Sequence, residues 1–305
     1  MKKPNLTQLE LRLLGVIALL AILAGGAYVG SRNSYIALQN KYDEDRRAES
    51  ALTVFFQTSD KAKAVYVYDA TGNRVLYERN TDTSLPLASI TKIATALTAY
   101  ETFGATDTIT IDDAALVADG DNGLIRGERW KRDSLLNFML IVSSNDAAYA
   151  FRNAGKSFME TMNAYGKKIG LEHTTFYDPA GLDSYGHAGA IGTARDVATL
   201  LLHFYRTMPE IAAETTLPQE TLHSENGTAH TISNTNDLSA HIETLLASKT
   251  GYTAMAGGNL AIAYRMPVYG NTIVIVVLGS TKEGRFVDIE SYMKGVEHYF
   301  QISKK

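Results

Sequence analysis

The chain of 305 residues contains no cysteine, which excludes disulfides, cysteine-ligated metal sites and an acylated lipobox terminus and leaves the redox compartment open. An excess of one charge is missing too. Lys and Arg number 29 against 33 Asp and Glu, a net charge of −4 with pI near 6.0, and no basic stripe is interleaved with aromatics, so nucleic acid is not an expected partner. No repeat or low-complexity tract interrupts the chain. No Gly-x-Ser-x-Gly elbow occurs either, which argues against a hydrolase of the Ser-His-Asp kind. The seven histidines are scattered without metal-ligand spacing, so neither a metal nor a cofactor is expected. What remains, 45% hydrophobic and 20% charged residues, is an ordinary globular composition long enough for one large domain.

One long apolar run stands at the N-terminus. Leu13 to Ser31 holds no charge, and Lys2, Lys3 and Arg12 precede it. As a helix rising roughly 1.5 Å per residue it nearly matches the roughly 30 Å of a bilayer core. The positive flank would stay in the cytoplasm and place the rest outside. Residues 1–31 are therefore expected to be a single-pass anchor in the bacterial cell membrane, with the lipid bilayer as partner of residues 13–31. The alternative is secretion after cleavage of a signal peptide, since Gly25, Gly26 and Ala27 offer small residues before a cut, although the run exceeds the usual signal core of about 7 to 15 residues. Residues 32–60, rich in charge from Lys41 to Glu49, read as a polar, partly helical stalk. Residues 61–305 read as the catalytic domain.

Within that domain Lys63 to Asp69 is β-rich, Ala70-Thr-Gly-Asn73 is a turn signal and Arg74 to Tyr77 returns, which predicts a hairpin. Asn259 to Met266 and Thr272 to Leu278 predict a second strand pair, and Gly284 to Gln301 a closing helix. Helical spacing marks Ile90–Thr102, Ser134–Val142, Asp146–Asn153, Phe158–Ile169 and Ala194–Tyr205 between them. The expected fold class is α+β: an antiparallel sheet assembled from both chain ends and a mainly helical lobe.

Three short motifs carry chemistry. Ser89-Ile-Thr-Lys92 opens an apolar helical segment, so the hydroxyl and the amine, three residues apart, face the same way. A lysine desolvated by Ile90, Ile93, Ala94 and Leu97 can be the base that activates a serine. Ser143-Ser144-Asn145 is a polar turn between two apolar helices and can project a hydroxyl for proton transfer and an amide that holds a peptide group. Lys249-Thr250-Gly251 precedes the Asn259 strand and can bind a carboxylate while glycine admits a substrate backbone. Each has a bland counterpart in a helix cap or a surface lysine. The chain even supplies decoys in Ser291-Tyr-Met-Lys294, Ser31-Arg-Asn33 and Ser224-Glu-Asn226; only Lys-Thr-Gly is unique. Their order is what points to the penicillin-recognising serine acyl-transferases.

Over roughly Lys63 to Tyr299 the chain resembles the D-alanyl-D-alanine carboxypeptidase family of low-molecular-mass penicillin-binding proteins. Beyond the three motifs the likeness includes Thr71-Gly72, Gly127-Glu128, Phe176 to Asp183, Thr193-Ala-Arg-Asp-Val197, Asn234-Thr-Asn236 and Tyr252-Thr253 with Ala256-Gly257. The resemblance implies a penicillin-binding-protein/β-lactamase-like fold with Ser89 as acylated nucleophile, Lys92 as its base and Ser143 as proton relay. It also implies that Asn145 positions the substrate, Lys249 supports Ser143, Thr250 with Arg285 binds a terminal carboxylate, and the backbone of Ser89 and Tyr252 forms an oxyanion hole beside Gly251. The implied partners are peptidoglycan stem peptides ending in D-Ala-D-Ala, and β-lactam antibiotics. Two departures stand out: Ser144 replaces the usual glycine of the second motif, and a C-terminal β domain like that of many relatives is not expected after the helix at Gly284 to Gln301. A serine β-lactamase is the nearest rival, but Asp178 to Asp183 lacks the Glu-x-x-x-Asn pattern of its deacylating loop. A non-catalytic penicillin-fold binding protein is the other alternative, against which the complete set of motif side chains argues.

Overall fold

The computed structural model describes residues 8–56, 60–116, 120 and 123–303, with no account of the side chains of 8–15, 18, 44–45 and 47–56. In chain order the elements are α1 (Gln8–Phe56), β1 (Ala64–Asp69), β2 (Arg74–Arg79), β3 (Leu85–Pro86), a 3-10 turn (Ala88–Thr91), α2 (Lys92–Thr102), β4 (Thr108–Thr110) and β5 (Arg129–Lys131). There follow α3 (Arg132–Ile141), α4 (Asn145–Ala154), α5 (Phe158–Lys168), β6 (Thr175–Phe176), β7 (Ala190–Gly192), α6 (Ala194–Thr207) and α7 (Pro209–Glu214). The chain closes with β8 (Gln219–His223), β9 (Ala229–Ser233), a second 3-10 turn (Asp237–Ala240), β10 (Leu245–Thr253), β11 (Gly257–Arg265), β12 (Thr272–Ser280) and α8 (Gly284–Ser303).

The main sheet has the order β10-β11-β12-β1-β2, antiparallel throughout. It is built from the chain's two extremities, as the separated β-rich runs implied. Asp69 starts the first hairpin: its carboxylate accepts from the N–H groups of Thr71 and Gly72 at 3.1 and 2.8 Å, and Asn73 takes the left-handed conformation at φ 50°.

Side chains alternate across the sheet with a period of two. Ala64, Tyr66, Ala261, Ala263, Val274, Val276 and Leu278 join the core shared with the helical lobe. Val65, Val67, Leu260, Ile262, Ile273, Ile275 and Val277 join the core beneath α8, with Ile289, Tyr292 and Val296. Both faces are covered, which is why these strands read as continuous apolar runs. Within the lobe α6 shows the local logic: Thr193 caps it by accepting from Asp196 N at 3.1 Å, and Val197, Leu200, Leu201 and Phe204 form its buried face.

At the N-terminus two expectations change. A continuous helix runs from Gln8 to Phe56 and lies beside α8 and β2, where a stalk only partly helical was expected. Among the described residues no helix is long and apolar enough to cross a membrane, so the expected span over Leu13–Ser31 is not supported. Side chains 13–15 and 18 of that segment lie outside the described residues.

Candidate active site

The nine residues singled out by sequence meet where the helical lobe faces β10, the edge strand of the sheet. Ser89 lies in the 3-10 turn that leads directly into α2, and Lys92 is the first residue of α2. A turn of helix thus separates them, and Lys92 Nζ donates to Ser89 Oγ at 2.8 Å. The same ammonium group contacts Asn145 Oδ1 at 2.7 Å and the carbonyl of Ala180 at 3.2 Å. The turn is held in place from both sides. Asn259 Nδ2 on β11 donates to the carbonyls of Pro86 and Leu87, each at 3.0 Å. Gly181, at φ +78°, packs so closely that a Cβ there would lie 2.0 Å from the Ala88 carbonyl oxygen.

The second motif sits between α3 and α4. Ser143 has φ 62°, a left-handed conformation that costs a non-glycine residue about 1–2 kcal/mol and that turns the chain between the two helices. Ser144 fills the position expected to carry glycine. Its side chain is buried and caps α4 by accepting from Ala147 N at 3.2 Å, so the extra hydroxyl is used inside the fold. Asn145, first residue of α4, then points its amide at Lys92.

The third motif lies on β10. Lys249 Nζ donates to Ser143 Oγ at 2.9 Å, Thr250 Oγ1 lies 2.5 Å from Thr235 Oγ1, and Gly251 O accepts from Arg285 at 2.9 Å. Any side chain at Gly251 would strike the 3-10 turn that carries Ser89, since a Cβ would stand 2.8 Å from Leu87 O and 3.2 Å from Ser89 N. Tyr252 is half exposed, with the Lys282 ammonium 5.5 Å from its ring centroid. Arg285 is brought in by the first turn of α8.

Burial sets the electrostatics. Lys92 is fully buried, and desolvation lowers its pKa from 10.5 to about 7, partly opposed by the negative charge of Asp178. At neutral pH a large fraction of Lys92 is therefore an amine able to accept the Ser89 proton. Lys249 is lowered well below its ordinary value by burial, then by Lys92 and Arg285. With both lysines driven toward the neutral amine, Arg285 beside Gly251 is the buried side chain that keeps its charge, a partner suited to an anionic group.

Sequence reasoning missed several supports. The Ala180 carbonyl and Asp178 come from the loop before β7. Asp178 Oδ1 accepts from Ala180 N and Leu182 N at 2.8 and 3.0 Å, and its Oδ2 from the Tyr149 hydroxyl, so the carboxylate is tied into the loop that meets Lys92. Thr235 and Asn259 were also missed as site residues. Each is an ordinary polar residue in the sequence; the pairing of β11 with β10 brings Asn259 to the motifs, and packing of the segment after β9 against α3 and β10 brings Thr235.

The family description D-alanyl-D-alanine carboxypeptidase, of peptidase family S11, matches residues 52–282. The chain is 29% identical to a D-alanyl-D-alanine endopeptidase of Pseudomonas aeruginosa over 70% of this chain and 69% of that protein. It is 31% identical to the D-alanyl-D-alanine carboxypeptidase DacC of Escherichia coli over 79% of this chain and 62% of that protein. Among solved structures it is similar to the ampicillin-bound penicillin-binding protein D2 of Listeria monocytogenes, with TM-score 0.68 and 30% identity over 78% of this chain and 98% of that one. With the match covering most of the chain and the fold agreeing, the protein belongs to the D-alanyl-D-alanine carboxypeptidase family of serine peptidases.

Proposed function

We propose that the protein is a serine-type D-alanyl-D-alanine carboxypeptidase that trims peptidoglycan stem peptides through an acyl-enzyme on Ser89 and is acylated there by β-lactams. The observation that carries this reading is the 2.8 Å contact between Ser89 Oγ and a fully buried Lys92 whose pKa falls to about 7. As Ser89 attacks the carbonyl of the penultimate D-alanine, Lys92 takes the hydroxyl proton. Backbone N–H groups of Ser89 and Tyr252 stabilise the developing oxyanion; such donors typically contribute on the order of 100- to 1,000-fold in rate. Ser143, hydrogen-bonded to Lys249, passes a proton to the departing D-alanine amine. Asn145 holds the substrate amide, and Thr250 and Arg285 bind the terminal carboxylate beside Gly251. Strand β10, paired only with β11 among the described strands, offers its other edge to an extended peptide.

Slow deacylation of a penicilloyl ester fits the site better than β-lactamase turnover. The carboxylate on the loop near Lys92, Asp178, already accepts from Tyr149 and two backbone N–H groups, and so serves as a fixed charge more readily than as a base over an attacking water. An endopeptidase reading is favoured by the name of the Pseudomonas aeruginosa relative, and cross-linked muropeptides test it. Because peptidoglycan lies outside the cytoplasmic membrane, we place the catalytic body there, with the apolar N-terminal segment directing export.

The test is direct. The full-length protein should gain one benzylpenicillin adduct by intact-mass measurement, hold it for minutes or longer, and release D-alanine from a peptide ending in D-Ala-D-Ala. Absence of the adduct, or rapid penicillin turnover without D-alanine release, would sink the carboxypeptidase reading.

A further inference from the structure

The hydroxyl of Thr235 stands 2.5 Å from that of Thr250, and Thr250 is the residue read above as a ligand of the substrate's terminal carboxylate. Thr235 belongs to the short segment between β9 and the second 3-10 turn, and its backbone is fixed on both sides. Asn234 Nδ2 donates to the carbonyls of Thr215 and Leu217 at 2.9 and 2.8 Å, while Asn234 Oδ1 accepts from Asn236 N at 2.9 Å. Thr235 N itself donates to the carbonyl of Ile141 at 3.2 Å, the last residue of α3 and two positions before Ser143. The segment therefore ties the helix that ends at the second motif to the strand that carries the third.

A hydroxyl has one hydrogen, so of two hydroxyls in contact one donates and the other keeps its hydrogen for a third partner. A carboxylate only accepts. For Thr250 to serve it, the Thr250 hydrogen must point into the cleft, and the bond between the two threonines must be donated by Thr235. The neighbouring cations cannot replace this directional contact. Lys249 is engaged with Ser143, and Arg285 spends one guanidinium nitrogen on Gly251 O, so the remaining guanidinium N–H groups can meet a carboxylate from the α8 side while the contact from β10 is left to the Thr250 hydroxyl.

We infer that Thr235 is a positioning residue of the carboxylate cradle: its hydroxyl donates to Thr250 Oγ1, turns the Thr250 hydrogen toward the substrate's terminal carboxylate, and so sets the preference for peptides with a free C-terminus. This rests on the carboxypeptidase reading above. Disorder of the Thr250 hydroxyl weakens its hydrogen bond to the charged carboxylate without removing it, and should cost roughly tenfold in selectivity, the equivalent of about 1.4 kcal/mol.

The experiment compares an acyl-D-Ala-D-Ala peptide with the same peptide ending in a carboxamide, using the full-length protein. Wild type should favour the free carboxylate in kcat/KM. Thr235→Val should lower that ratio by about tenfold, chiefly through KM for the carboxylate peptide, and Thr235→Ser should restore it. Thr235→Ala removes the same hydroxyl without added bulk and gives the same readout if the valine variant fails to fold. Equal losses on both peptides, an unchanged ratio, or unfolding of both hydroxyl-deleted variants would overturn the inference and leave Thr235 a structural residue. A wild type that releases D-alanine from neither peptide would instead remove the carboxypeptidase reading on which it rests.

Discussion

The two faces of the main sheet bury very different material. Beneath α8 the sheet packs Val65, Val67, Leu260, Ile262, Ile275 and Val277 against Ile289, Tyr292 and Val296, with its hydrogen-bonding groups consumed by strand pairing. Toward the helical lobe, the edge of the same sheet buries Lys92, Lys249 and Arg285 with serine, asparagine and backbone-carbonyl partners and, among the described residues, no carboxylate hydrogen-bonded to any of the three. Removing an ammonium group from water is costly unless it is paired or loses its proton. Here both lysines are driven toward the neutral amine. The α8 face supplies stability, and the lobe edge gives some of it up for reactivity.

Substitution of Ser89, the proposed nucleophile, should separate the two most sharply. Ser89→Ala should abolish the benzylpenicillin adduct and lower D-alanine release by about 10³-fold or more, with the melting temperature almost unchanged; intact mass and a D-alanine assay check this. Lys249→Met should lower acylation by about 100-fold, the scale of losing one transition-state contact, while raising stability by about 1–3 kcal/mol. The sign with pH follows from the lowered pKa. Below the folded value both states are protonated and the burial penalty is complete, and it fades as pH rises toward the unfolded value near 10.5. The stability gain of the variant should accordingly be largest in acid and shrink in base, as thermal melts across pH would record.

On the other face, Ile275→Ala should cost about 2–5 kcal/mol by leaving a cavity in the α8 core, and the molecules that remain folded should acylate at the wild-type rate. A loss of acylation in proportion to cavity size would mean that the two faces are coupled. The smallest effect is expected at the loop carboxylate. Wild-type acylation should rise with pH through about 7 as Lys92 loses its proton. Asp178→Asn removes the one negative charge that raises the Lys92 value, leaving Lys249 as the cation nearby. The acid limb of the pH profile should then move to lower pH, with acylation at pH 6 faster by about two- to fivefold. A slower variant with an unmoved limb would reduce Asp178 to a loop support.

Much of this was legible without coordinates. The apolar runs at 64–69, 259–266 and 272–278 have room only for buried strands, and helical spacing located α2, α3, α4, α5, α6 and α8 to within a few residues. Less visible were α7, only six residues long, and the hairpin of β8 and β9, whose alternate positions are largely exposed and polar. The N-terminal span read over Leu13–Ser31 finds no support among the described residues, which leave out side chains 13–15 and 18 of that segment.

For the site the division is similar. Local chemistry fixed the motif side chains: Ser89 and Lys92 share a helix face because they are three apart, and Ser143 and Asn145 flank a turn because polar residues interrupt two apolar helices. That Lys92 is fully buried, that Ser144 caps α4 from inside, and that Thr235, Asn259, Asp178 and the Ala180 carbonyl reach the motifs was decided only when distant segments packed. Spacing along a chain sets which atoms can share a helical turn or a strand face, and desolvation and hydrogen-bond partnership depend on what the rest of the fold lays over them.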